Sequence, residues 1–161
     1  MLKTFAVLLL VTTGMLTFAS AKAAVSCQAV ADEVGRKGAD ATVRDLTSRT
    51  NGDWDQFIRQ VGAGRAECVQ AAAAVAPGAD AGNHEGIIYG LSQALRENPK
   101  AVLMVSGGRI SLENVCSDRA IEDSDAQHKA FMQRAAASVA QIREPSLRVK
   151  RDACLASLHR Q

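Results

Sequence analysis

The sequence predicts an all-α protein, either an orthogonal helical bundle or a short HEAT-like stack, of about six helices tied by disulfides. Three observations carry that expectation. Apolar residues recur at helical rather than alternating spacing, above all Trp54, Phe57, Ile58 and Val61 at i, i+3, i+4 and i+7. The chain is rich in alanine, and runs of β-branched and aromatic residues that would make strands are missing. Its four cysteines follow what reads as an export signal, a context in which an even count favours disulfides.

The signal is read from the first residues. Lys3 gives a positive start, Phe5 to Phe18 form a largely apolar run, and Ala21-Lys22-Ala23 supplies small residues at minus three and minus one. The run is shorter than the roughly 20 apolar residues of a membrane span and is interrupted by Thr12, Thr13 and Thr17. Residues 1–23 are therefore expected to be a cleaved signal peptide and residues 24–161 a single helical domain, periplasmic or secreted, with no stable membrane insertion after cleavage. Of the 19 basic and 17 acidic residues, Lys3 and Lys22 lie in the signal, so the mature part is neutral. No basic stripe with interleaved aromatics is present, and nucleic-acid binding is not expected. The cluster Arg148, Lys150 and Arg151 reads as the wet face of a helix.

The elements follow in order. Ser26 caps a first helix carrying Cys27, Val30 and Val34, ended by Gly35 and Gly38. The stretch from there to Thr50 is ambiguous. Asn51 is expected to cap the Trp54 helix, which Gly62 and Gly64 stop, and an alanine-rich helix runs from Cys68 to Ala76 before Pro77-Gly78. A further helix begins after Asp80 and buries Ile87, Ile88, Leu91, Ala94 and Leu95 until Asn98-Pro99 breaks it. Pro99 opens the next helix, through Val102 and Leu103 to Gly107-Gly108. Residues 107–123 read as the principal irregular loop, holding Cys116. Ser124 or Asp123 then caps a long helix with Phe131, Ala135, Val139 and Ile142 on one side, and Pro145 opens the last, with Leu147, Cys154, Leu155 and Leu158 inward.

Cys27, Cys68, Cys116 and Cys154 allow three pairings. Their order favours Cys27 with Cys68 and Cys116 with Cys154, which ties each half of the chain to itself. Each loop of about 40 residues would add roughly 4 kcal/mol at most in the chain-entropy model. No two cysteines stand at CxxC spacing and none adjoins a histidine, so structural bridges are expected rather than a metal or a catalytic thiol.

Trp54, Gly64, the run Pro77-Gly78-Ala79-Asp80-Ala81-Gly82, Glu85-Gly86, Ala94-Leu95, Asn98-Pro99, Val102-Leu103, Val115-Cys116 and Cys154-Leu155 stand in an order that resembles a set of short uncharacterised exported proteobacterial α-helical proteins. The resemblance covers roughly residues 50–158. It implies a helical exported domain and nothing catalytic. The chain departs from the pattern at Cys68, where the group would have an aromatic residue, so the Cys27–Cys68 pairing cannot be taken from it.

The most enzyme-like patch is Asp80, His84 and Glu85, within about one turn of a helix start, where a negative charge is favoured and a histidine can be poised for proton transfer. The plainer reading makes Asp80 or Asn83 a cap, Glu85 a complement to the helix dipole and His84 solvated. His84-Glu85 lacks the second histidine of HExxH because position 88 is Ile88, and His128 and His159 are isolated in sequence. Ser92 does not sit in a GxSxG elbow, and Ser106-Gly107-Gly108 lacks the residues of a phosphate loop. No metal or other cofactor is expected.

The leading functional expectation is a non-enzymatic interaction module for another envelope or secreted protein, binding through loop 107–123 and the helix ends around residues 78–86. The acidic residues Asp118, Glu122, Asp123 and Asp125 are its candidate contacts with a basic partner. An immunity or inhibitor protein against a secreted toxin or wall-degrading enzyme is the narrower version. The alternative class is an envelope hydrolase using Asp80, His84 and Glu85.

Overall fold

Ser26 opens helix α1 (Cys27–Lys37): its hydroxyl accepts from the Ala29 amide at 3.3 Å, and Gly38 turns the chain out at φ 86°, a value that suits glycine. The computed structural model describes residues 25–48, 52–118 and 124–160; the expected signal peptide, residues 1–23, lies outside them. The stretch after Gly38, ambiguous in sequence, is helical as α2 (Ala39–Ser48) and buries Thr42, Val43 and Leu46. Thr42 satisfies its buried hydroxyl on the Gly38 carbonyl at 2.9 Å.

Helix α3 (Asp53–Gly62) buries Phe57, Ile58 and Val61 as the periodicity requires. Trp54 is only half-buried, its ring 6.0 Å from that of Phe57. Asn51, the expected cap, lies outside the described residues. The N-cap position is held by Gly52 in the left-handed region, without a side-chain cap. Helix α4 (Ala66–Val75) runs into a 3-10 turn, Ala76–Gly78, and Asp80 then caps α5 (Ala81–Ala94). Asn98 has two tasks: its carbonyl oxygen accepts from Ala101 at the start of α6 (Pro99–Val105), and its amide donates to the Gly64 carbonyl at 2.9 Å.

Residues 107–118, the described part of the expected loop 107–123, are not plain loop. A two-glycine turn closed by a bridge between Gly107 and Ile110 leads into a short helix, α7 (Leu112–Val115), capped by Ser111. Helix α8 (Asp125–Ala140) starts on a capping box formed by Ser124 and Gln127. Pro145 opens a 3-10 turn, Pro145–Leu147, that continues into α9 (Arg148–Leu158).

Of the nine α-helices among the described residues, α1, α2, α3, α5 and α6 gather around α4. Its Ala71 and Ala72 are fully buried, and such small side chains let five neighbours approach one short helix. In a stack of hairpins each unit meets only its neighbours in sequence; here a bundle is formed instead. Around it, α3 lies against α5 and α8 against α9. Two disulfides tie the halves in the order anticipated: Cys27–Cys68 joins α1 to α4, and Cys116–Cys154 joins the end of α7 to α9.

The basic cluster of α9 is only partly a wet face: Arg148 is exposed, while Lys150 and Arg151 reach back to the protein. Lys150 is half-buried, and where α6 ends its ammonium donates to the carbonyl of Ser106 at 2.5 Å and to that of Leu103 at 2.9 Å, which also accepts from the Ser106 hydroxyl at 3.0 Å. Arg151 reaches the Ile142 carbonyl at 3.1 Å. A Lys150→Met variant is expected to lose about 1–2 kcal/mol of unfolding free energy in urea, because it keeps the aliphatic stem, strands the Ser106 carbonyl and leaves Leu103 with the Ser106 hydroxyl alone. Unchanged stability would mean that water replaces the ammonium without loss.

Candidate functional site

The patch singled out around Asp80 divides into separate tasks. The Asp80 carboxylate caps α5, accepting from the Asn83 amide at 2.8 Å. Glu85 is exposed, and His84 is half-buried with its Nδ1 enclosed and unpaired among the described residues. None of the three lines either concavity described below. At surface pairs, hydrogen bonds to Asp45 and Glu33 raise the Lys37 pKa, the Glu67 pKa is lowered by its own backbone amide and then by Arg65, and Lys100 lowers that of Glu144.

The acidic candidates are likewise dispersed. Glu122 and Asp123 lie outside the described residues, and Asp125 is exposed in the first turn of α8. The Asp118 side chain is turned inward, 1% exposed, with Oδ2 2.9 Å from Nδ1 of His128. Burial removes it from any surface meant for a basic partner. Its carboxylate orients the His128 ring, since an ionised carboxylate accepts and Nδ1 must then donate, leaving Nε2 as the other ring nitrogen.

His128 stands on the wall of an apolar groove of about 540 Å³ between α8 and the end of α9. Met132, Ala136 and Leu158 form its apolar lining, and Lys129, Gln133 and His159 complete it. His128 and His159, far apart in sequence, thus share one groove, while His84 does not join them. The pair Asp118–His128 is the base-and-orienter half of a nucleophilic site, but none of the lining side chains is a hydroxyl or a thiol. Among the described residues no group of three His, Cys, Asp or Glu side chains is placed to hold a metal ion.

On the opposite flank of α8 a second hollow, about 370 Å³, opens toward α5. Gln93 and Arg96 come from or just past α5; Gln127, Phe131 and Arg134 come from α8. The Arg96 guanidinium lies 5.3 Å from the centre of the Phe131 ring and donates to Oε1 of Gln93 at 2.8 Å. Both concavities border α8, away from the helix ends around residues 78–86 where sequence placed the binding surface.

No family model, curated protein or solved structure matches the chain. The two disulfides point to an oxidising compartment. No helix among the described residues is long and apolar enough to cross a membrane.

Proposed function

We propose that the protein is exported to the periplasm or beyond and acts there as a non-enzymatic binding module, engaging another envelope or secreted protein through the face centred on α8. The observation that carries this reading is the apolar groove of about 540 Å³ beside His128, which falls within the size range of binding pockets. Lys129 on its wall gives the groove a positive character. The matching partner offers an apolar side chain flanked by acidic residues. Neutralising a secreted toxin or wall-degrading enzyme is the narrower form of the same reading. The resemblance to short exported helical proteins and the oxidising context support export.

The test is affinity capture of tagged residues 24–161 from the native cell envelope, cross-linked under non-reducing conditions, beside an Ala136→Arg variant that fills the groove from its half-buried wall. One protein retained by the native chain and lost by an equally stable variant is the expected result. Equal retention by both, or none by either, would overturn the assignment of this face. An enzymatic reading rests on Asp118–His128 rather than on Asp80, His84 and Glu85, and it lacks a nucleophile in the groove.

A further inference from the structure

The hollow between α5 and α8 presents donors almost exclusively. Each of its two glutamines has its carbonyl oxygen engaged by the protein: Oε1 of Gln93 accepts from Arg96 at 2.8 Å, and Oε1 of Gln127 accepts from the Ser124 amide at 2.9 Å and hydroxyl at 2.6 Å. Those donors fix which way each amide is turned, leaving both NH₂ groups for a visitor. Two guanidiniums, Arg96 and Arg134, line the same space, and among the described residues no carboxylate lines it with them. Arg96 is held in place by Gln93 and by the Phe131 face, and among the described residues neither arginine is drawn into an ion pair.

We infer that this hollow is a binding site for a phosphate-class dianion, gripped between Gln93 and Arg96 on one wall and Gln127 and Arg134 on the other. Two guanidinium forks match an anion of two charges and several acceptor oxygens better than a single carboxylate. The amino-terminal turn of α8, which supplies Gln127, adds its positive dipole end to the same side. Neither alanine nor the Phe131 ring in the lining competes for the ligand's oxygens. The inference stands apart from the partner assigned to the groove on the other flank of α8.

Inorganic phosphate titrated into residues 24–161 at constant ionic strength, followed by amide and arginine side-chain NMR shifts, tests it. Saturable shifts are expected at Arg96, Arg134 and Gln127, with acetate binding more weakly. Arg134 is exposed, so Arg134→Gln keeps the fold, and it is expected to weaken phosphate binding about tenfold with an unchanged melting temperature. Phenyl phosphate resolves the source: tighter binding than phosphate assigns an organic phosphate, and equal binding assigns the free anion. Shifts that fail to saturate, that acetate reproduces at equal concentration, or that survive Arg134→Gln would overturn the proposal.

Discussion

Replacing Cys116 and Cys154 together by alanine is expected to lower the unfolding free energy by about 4 kcal/mol. The bridge closes a separation of 38 residues, and the loss of such a loop constraint from the unfolded chain is of that order in the entropy model. Both cysteines are completely buried, so alanine avoids the unsatisfied hydroxyl that serine would introduce, and the loss reads the cross-link plus a small packing deficit. Cys27–Cys68, with a separation of 41 residues, is expected to contribute a similar amount. Small domains hold about 5–15 kcal/mol in all, so the protein reduced at both bridges should unfold at much lower urea concentration or be unfolded in buffer.

The Cys116–Cys154 variant should do more than lower stability. Asp118 follows Cys116 by two residues, and its contact with His128 depends on where the end of α7 is pinned. Chemical shifts of the His128 ring are therefore expected to move in that variant and to stay put in the Cys27–Cys68 variant, whose bridge lies at α1 and α4. Identical urea midpoints with and without the Cys116–Cys154 bridge would mean that the unfolded chain is already restrained or that packing alone holds α7 to α9.

What the sequence disclosed and what it hid divide along the range of the interaction. Caps are local, so Ser26, Asp80 and Ser124 could be read in advance, each accepting from an amide three residues ahead, as does Asn98, which the sequence showed only as a break. The stripe of Phe57, Ile58 and Val61 is local too. Helix α2 gave little signal because its buried positions are a threonine and two aliphatics, with charged residues between. Lys150 was misread because its partners lie 44 and 47 residues away: a lysine on a polar helix face looks solvated until another helix ends beneath it.

The candidate site was hidden for the same reason. Asp118 and His128 stand ten residues apart, and in sequence Asp118 belonged to an acidic group whose other members now lie outside the described residues or in solvent. Gln93 and Arg96 come to line one hollow with Gln127 and Arg134 only through the tertiary fold, and no motif spacing announces such a hollow. Asp80 shows the reverse case. It had two readings from sequence, cap and catalysis, and the hydrogen bond to Asn83 selects the cap.

Gly78→Ala is expected to destabilise the protein by about 3 kcal/mol or more, the upper range of overpacking. A Cβ there would stand 2.1 Å from the Asp40 nitrogen, 2.3 Å from the Ala39 carbonyl carbon and 2.5 Å from the Asp40 Cα. All three are backbone atoms of the first turn of α2, so no side-chain rotation can relieve the overlap. Either α2 or the Ala76–Gly78 turn must move. Helix α2 is held by its packing on α1, α3 and α4 and by the Lys37–Asp45 pair, and Ala79 after the turn accepts from Arg109 at 3.2 Å. Gly35→Ala is the matched control: it lies inside α1 with nothing within 4 Å of the added carbon, and it is expected to stabilise by about 0.5–1 kcal/mol. Urea midpoints of the two variants should therefore move in opposite directions. If Gly78→Ala unfolds with the native midpoint, α2 does not rest on the Pro77-Gly78 turn, and α2 would be the first element of this architecture to be redrawn.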